Sequence, residues 1–258
     1  MVHLIILARY LRAGLADRLG LIMKKISSLA VLTVLAVAGF ASVRAAAAEE
    51  GGIALAIVYD TSGSMRDPVT DQAGGTTPKF MVANRALMAV AKQIQAFATN
   101  TSAGPRKIDA GLFVFQGEGV REAVKFGPFD AAALEDFARH FRNPNGNTPL
   151  GNALASAART VFNSPFPRKH VLTITDGLNT AGPKPEAVLP RLQKQAAGKQ
   201  VTLSVHFVAF DVDAKQFELL KQQGATVVGA ANEQQLNSQL DFILQRKILL
   251  EAEEPKKP

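Results

Sequence analysis

The sequence predicts an α/β domain: a doubly wound, mostly parallel central sheet with one antiparallel edge strand and helices on both faces. Three observations carry this. From Glu49 onward, short apolar runs alternate with longer segments whose apolar residues recur every three or four positions, the pattern of layered strand–helix units. The first run, Ile53–Tyr59, is almost continuously apolar, as a strand covered on both faces must be. Two later runs, Ile108–Phe115 and Val120–Phe126, are separated only by Gln116-Gly117-Glu118-Gly119, a hairpin spacing that places an antiparallel strand at the sheet edge.

The remaining elements follow in order. Asp67–Pro78 is polar and glycine-rich and reads as a loop, either a specificity loop to which Asp71 adds a contact or a surface connector. Phe80–Ala98 has helical spacing, with Val82, Leu87, Val90, Ile94 and Phe97 facing the core. Beyond the hairpin, Ala131–Phe141 and Leu150–Phe162 read as helices, His170–Thr175 as a compact strand, and Glu186–Ala196 as a helix. Val201–Phe210 is another strand, Phe217–Gln223 a helix, Thr226–Val228 a short strand and Gln234–Leu250 the last helix. In that last helix Leu236, Leu240, Ile243 and Leu244 form a stripe suited to core packing. In sheets of this kind the ligand site is built from loops at the carboxyl ends of the strands, where Asp60 and Asp176 fall.

The chain has 258 residues, 47% of them hydrophobic, enough for one well-filled domain after an export segment is removed. Lys24-Lys25, the uncharged run Ile26–Val43 and the small residues Ala45–Ala48 describe a secretory signal cleaved after Ala47 or Ala48. An uncleaved membrane anchor is the alternative, since the apolar run approaches bilayer-spanning length. Met23-Lys24-Lys25 reads as an ordinary start, and residues 1–22 as an upstream extension. The organisation is therefore 1–48 signal peptide, 49–250 domain and 251–258 charged, solvated tail. Export makes the protein periplasmic or secreted.

The net charge of +7 is concentrated in that leader, which holds Arg9, Arg12, Arg18, Lys24, Lys25 and Arg44 against Asp17 alone. No basic run with interleaved aromatics follows, so nucleic-acid binding is not expected. Cysteine is absent, which excludes disulfides, thiolate metal sites and a cysteine nucleophile.

The stretch Tyr59-Asp60-Thr61-Ser62-Gly63-Ser64 ends a buried strand in a carboxylate and presents two hydroxyls at alternate positions of a tight loop. Asn147-Thr148-Pro149 places a third hydroxyl just before a helix, and Thr175-Asp176-Gly177 places a second carboxylate at another strand end. Hard oxygen donors of this kind suit Mg²⁺, Mn²⁺ or Ca²⁺ better than zinc. The competing reading is that Ser62 and Ser64 cap the following turn.

These three segments resemble the metal-ion-dependent adhesion site of the von Willebrand factor type A domain family. Its Asp-x-Ser-x-Ser motif matches Asp60, Ser62 and Ser64, its threonine loop matches Thr148, and its last aspartate matches Asp176. The motifs occur in the family's order, and the elements from about Gly52 to Leu250 fit its Rossmann-like fold. The resemblance implies a bacterial-type exported member with a complete site. Ser62 and Ser64 would bind the metal directly, Asp60 partly through water, and Thr148 and Asp176 directly or through water. It also implies that an exposed Glu or Asp of a protein partner completes the coordination of Mg²⁺, with Mn²⁺ or Ca²⁺ as alternatives.

The expected function is thus metal-dependent protein binding, as in cell adhesion. Two alternatives are an assembly or maturation scaffold for an envelope complex and, further off, a Mg²⁺-dependent hydrolase. The sequence has no Gly-x-Ser-x-Gly elbow and no phosphate-binding loop. Of its four histidines, His3 is in the leader, His140 ends a helix, and His170 and His206 lie in strands. Asp67, Asp71 and Asp211 are acidic residues that could serve as a base, and Arg66 and Lys79 are basic residues near the motif that either favour an acidic ligand or, the reading taken, are solvated. Amino-terminal sequencing of the mature exported protein tests the leader: the first residue is expected to be Ala48 or Glu49, and an intact leader would establish the anchor.

Overall fold

A computed structural model of the chain describes residues 51–100 and 106–250. The predicted signal peptide and charged tail lie outside the described residues. All described residues belong to one unit, Ala48–Pro258.

The first strand, β1 (Ile53–Tyr59), is buried at all seven positions, as its unbroken apolar run requires. It pairs in parallel with β4 (Ile108–Gln116) on one side and β6 (Arg168–Thr175) on the other. Outside β6 lie β7 (Thr202–Phe210) and β8 (Thr226–Ala230), both parallel. Outside β4 lies β5 (Gly119–Pro128), the antiparallel edge strand expected from the hairpin spacing. The six-stranded order is therefore β5-β4-β1-β6-β7-β8.

The alternation of β1 side chains divides the core. Ile53, Leu55, Ile57 and Tyr59 pack in a cluster with α1 (Lys79–Thr99), α2 (Ala131–His140) and α6 (Glu233–Ile243). Ala54, Ala56 and Val58 face α3 (Leu150–Phe162), α4 (Pro185–Gly198) and α5 (Glu218–Gln222). On the second face the strand offers small residues, and α3 answers with Ala153, Ala157 and Ala158, so helix and sheet approach closely. Each fully buried Leu or Ile of β1 contributes roughly 2 kcal/mol by removal from water.

Two glycines hold this packing. At the bulge between Ala110 and Leu112, a Cβ on Gly111 would lie 2.8 Å from Phe126 Cα on the neighbouring strand. In the first turn of α3, a Cβ on Gly151 would lie 1.9 Å from the carbonyl oxygen of Pro183. The helix after Thr148 can seat against the chain leaving β6 only with no side chain at 151.

The structure departs from the sequence expectation in three places. The stretch expected to be a loop over Asp67–Pro78 contains a small antiparallel hairpin, β2 (Pro68–Thr70) and β3 (Thr76–Pro78). Asp71 builds its turn, accepting from the backbone N–H of Ala73 (3.0 Å) and Gly75 (2.9 Å) through Oδ1 and from the Thr77 hydroxyl (2.8 Å) through Oδ2. The last helix is α-helical only to Ile243 and continues as a π-helical segment, Leu244–Leu249, with Leu244, Ile248 and Leu249 buried. The helix expected from Phe217 is a 3₁₀ turn, Ala214–Phe217, followed by the short α5. Among the described residues no helix is long and apolar enough to cross a membrane.

Replacing Gly151 with Ala is expected to destabilise the fold by about 1–3 kcal/mol, the scale of overpacking against a backbone that cannot yield. Urea unfolding of the variant measures this, and an unchanged midpoint would show that the loop at Pro183 can move.

Candidate metal centre

Because β1 and β6 are paired in parallel with Tyr59 opposite Ile174, the residues that follow them, Asp60 and Asp176, emerge at the same end of the sheet. The pairing continues one step beyond the strand, through the Asp60 N–H donating to the Ile174 carbonyl at 3.0 Å. Asp60 is fully buried, and both carboxylate oxygens are engaged within the chain. Oδ1 accepts from the Ser62 N–H at 2.8 Å, and Oδ2 accepts from the Thr175 hydroxyl at 2.5 Å.

The loop after Asp60 turns as a short 3₁₀ segment, Gly63–Arg66. Ser62 precedes it in the position of an N-cap, yet its hydroxyl lies 3.2 Å from the Ser64 hydroxyl instead of capping the turn. Ser64 in turn donates to Asp176 Oδ1 at 2.8 Å. A chain of oxygens thus joins the first motif to the last.

Thr148 comes from a third segment, docked on the first by two backbone bonds: Asn145 N–H to the Thr61 carbonyl (2.8 Å) and Gly63 N–H to the Gly146 carbonyl (3.2 Å). The Thr148 N–H donates to the Thr180 hydroxyl at 2.8 Å, and the Thr180 N–H returns to the Thr148 carbonyl at 3.0 Å. Gly177 marks the meeting point. A Cβ placed there would lie 3.7 Å from the Thr148 hydroxyl and 3.8 Å from the Ser64 hydroxyl, filling a cradle that glycine leaves open. All five residues singled out in the sequence are therefore brought together.

Two carboxylates in one buried site repel each other. Burial first, and then the neighbouring Asp176, push the Asp60 pKa up to about 6, against the pull of the hydrogen bonds from Ser62 and Thr175. Asp176 is also raised, chiefly by burial, with Ser64 and Lys79 acting the other way. Two carboxylates and three hydroxyls around a cradle, with excess negative charge, form a donor set suited to a hard dication.

Lys79, which sequence reasoning left in solvent, is 5% exposed and lies inside this arrangement. Its ammonium is 3.1 Å from Asp176 Oδ2 and 3.0 Å from Asp211 Oδ2. Burial works against that charge, but the hydrogen bonds and charges of Asp211 and Asp176 outweigh it and hold the Lys79 pKa above the ordinary lysine value. Lys79, Asp211 and Thr175 are the site residues whose roles the sequence did not give. Arg66 stays at the surface, donating to Asn143 at 3.0 Å.

The other polar residues considered from sequence lie apart from the five. Asp71 is engaged in the hairpin turn, and the Gln72 N–H beside it donates to Glu233 at 2.9 Å. His170 and His206 stack between β6 and β7 with ring centroids 5.6 Å apart. Burial holds them neutral, lowering their pKa values to about 3 and about 4.

A family model described as the von Willebrand factor type A domain matches residues 54–242. No curated protein matches the chain. Among solved structures, the fold is similar to the PilB minor pilin from Streptococcus sanguinis, with 16% identity, a TM-score of 0.56, and coverage of 76% of this chain and 61% of that one. It is similar to the vWF domain of the type V pili tip protein Mfa5 from Porphyromonas gingivalis, with 12% identity, a TM-score of 0.55, and coverage of 75% and 94%. Proximal thread matrix protein 1 from the mussel byssus, described with a zinc-occupied MIDAS motif, gives 16% identity, a TM-score of 0.54, and coverage of 75% and 47%. At these identities the likeness is one of fold, and the chain spans less than two thirds of the pilin's length.

The electrostatics predict how the metal-free protein responds to pH. The folded-state pKa of Asp60, about 6, lies above its ordinary 3.8, so between these values the folded state binds the proton more tightly than the unfolded chain. The contribution of Asp60 to stability therefore falls as pH rises from about 4 to about 6 and levels off above. The buried neutral His170 and His206 contribute in the opposite sense, so the Asp60 effect is read as the difference between wild type and a variant at that position. Asp60→Asn removes that charge while Thr175 keeps the Gly177 carbonyl as acceptor at 3.1 Å. In EDTA at pH 7.5 the variant is expected to be more stable than wild type, by up to about 3 kcal/mol. The gain is expected to vanish near pH 4. Thermal melts across this range check it, and a pH-independent difference would refute the account.

Proposed function

The chain belongs to the von Willebrand factor type A domain family, and on that premise we propose that it is an exported, metal-dependent protein-binding module. In this reading Asp60, Ser62, Ser64, Thr148 and Asp176 hold one dication, Mg²⁺ in the first place, with Mn²⁺ or Ca²⁺ as alternatives. Such an ion, when bound, supplies an electrophilic position at which an exposed Glu or Asp of a partner replaces a water.

The protein's own contribution is to hold the donors. Asp60 uses both its oxygens on Ser62 and Thr175, so it orients the loop and adds charge from behind the hydroxyls. Thr148 is aimed across the Gly177 cradle by its paired bonds to Thr180. Leu178, two residues beyond Asp176, is 44% exposed and offers a partner an apolar contact at the rim.

The observation that carries the reading is the continuous chain from Ser62 through Ser64 to Asp176, with Thr148 facing it. Three segments far apart in sequence converge only through the fold, which turn capping does not explain. Binding is favoured over hydrolysis because two carboxylates considered as bases are already engaged, Asp71 by its hairpin and Asp211 by Lys79. The exported setting, periplasmic or secreted, rests on the leader, Lys24 to Ala48.

Affinity capture from an envelope extract of the source cells, in Mg²⁺ and in EDTA, with Asp176→Ala as control, tests the proposal. A partner is expected to be retained in Mg²⁺ and lost under both other conditions. Retention that survives EDTA and the substitution would refute metal-dependent binding.

A further inference from the structure

Lys79 is the cationic group at the site, outside the five-residue set, and it is firmly held. Its backbone N–H donates to the Asp67 carbonyl at 2.9 Å, tying the start of α1 to the loop that carries Ser62 and Ser64. Its ammonium spans from Asp176 after β6 to Asp211 after β7, where Asp211 adopts a left-handed φ of 53°. A buried ammonium is unfavourable unless paired and hydrogen-bonded. Here both partners are carboxylates at hydrogen-bonding distance, so the contact belongs to the architecture and not to a wandering surface chain.

The consequence lies in what Asp176 can offer. Its Oδ1 faces the Ser64 hydroxyl at 2.8 Å, whereas its Oδ2 is held by Lys79 at 3.1 Å. An ammonium held against Oδ2 repels a cation approaching that oxygen, whereas the neutral Ser64 hydroxyl leaves Oδ1, with its second lone pair, the better placed to meet an ion. Asp60 is equally constrained, with one oxygen on Ser62 and the other on Thr175. Neither carboxylate is free to clamp an ion through both oxygens. Ca²⁺ gains from bidentate carboxylates and larger coordination numbers, while Mg²⁺ takes six oxygens in a tight octahedron and keeps water.

We propose that Lys79 is a selectivity-determining residue of the metal centre, whose ammonium keeps Asp176 to one donor oxygen and tilts the site from Ca²⁺ towards Mg²⁺ and Mn²⁺. This rests on the metal reading above, which left the three dications as alternatives. The ammonium also offsets one negative charge of the site, so its removal strengthens binding of both kinds of ion, and of Ca²⁺ the more.

Calorimetric titration of the full chain with MgCl₂ and with CaCl₂ tests this on wild type, Lys79→Met and Asp211→Asn, with folding checked by circular dichroism. In Lys79→Met the ratio of the Ca²⁺ Kd to the Mg²⁺ Kd is expected to fall by about tenfold or more, mainly through tighter Ca²⁺ binding. In Asp211→Asn the ammonium keeps Asp176 as its partner, so the ratio is expected not to fall. A Lys79→Met ratio within about threefold of wild type, or weaker Ca²⁺ binding, would overturn the proposal. If Lys79→Met does not fold, Lys79→Gln, which removes the charge and keeps a polar end, decides by the same criterion: a fall in the ratio supports the role of Lys79 and a ratio within about threefold of wild type overturns it. Wild type that binds neither ion removes the metal reading itself; intact binding with unmoved selectivity removes only the role of Lys79.

Discussion

The parallel pairing of β1 with β6 is the constraint on which the rest of the structure depends. With Tyr59 opposite Ile174, the chain leaves β1 at Asp60 and leaves β6, one residue further on, at Asp176, so both carboxylates stand at the same end of the sheet. A slip of one residue would turn every side chain of β1 to the other face, sending Leu55 and Ile57 against α3 and Ala54 and Ala56 against α1. Neither helix layer could accept that exchange, because the small residues of one face and the large residues of the other are matched to different helices. The packing of the core thus sets the register, and the register sets the separation of the carboxylates.

What the fold assembles in this way is not restful. Two carboxylates share a buried end of the sheet; burial raises the pKa of each, and the charge of Asp176 raises that of Asp60 further. The chain answers with internal groups: N–H and O–H donors for Asp60, a hydroxyl and an ammonium for Asp176. Such arrangements are less stable than an apolar end to the same sheet, and proteins tolerate them where the site has work to do. The tension is local, since both strands bearing the aspartates are apolar and buried along their length.

The parts legible in the sequence are those governed by local pattern. The continuous apolar run of β1, the hairpin spacing across Gln116–Gly119 between β4 and β5, and the helical stripes of α1 and α3 each announce themselves within a short window. The five oxygen-bearing residues were legible because spacing and strand ends place them. The β2–β3 hairpin was not, since Pro68, Pro78 and the Gly74-Gly75 pair look like loop; the Asp71 carboxylate closes it through contacts that only the folded turn creates. The π-helical segment after Ile243 hid within an unbroken apolar stripe. Lys79 was missed for a deeper reason: its burial depends on the ends of β6 and β7 arriving together, which no local spacing encodes.

The hairpin that sequence missed also explains why the rim of the site is well defined. It is pinned from outside by Glu233 at the start of α6, which accepts from the Gln72 N–H at 2.9 Å. Glu233 is itself held by both the Nε and Nη2 of Arg85 on α1, each at 2.7 Å. A fork of this kind fixes direction as well as distance. The Asp60 loop is therefore bounded on one side by the Thr148 segment, through two backbone bonds, and on the other by a hairpin tied to two helices. On the proposed binding function, a partner meeting this edge would find donors already held in place, so that less ordering would oppose association.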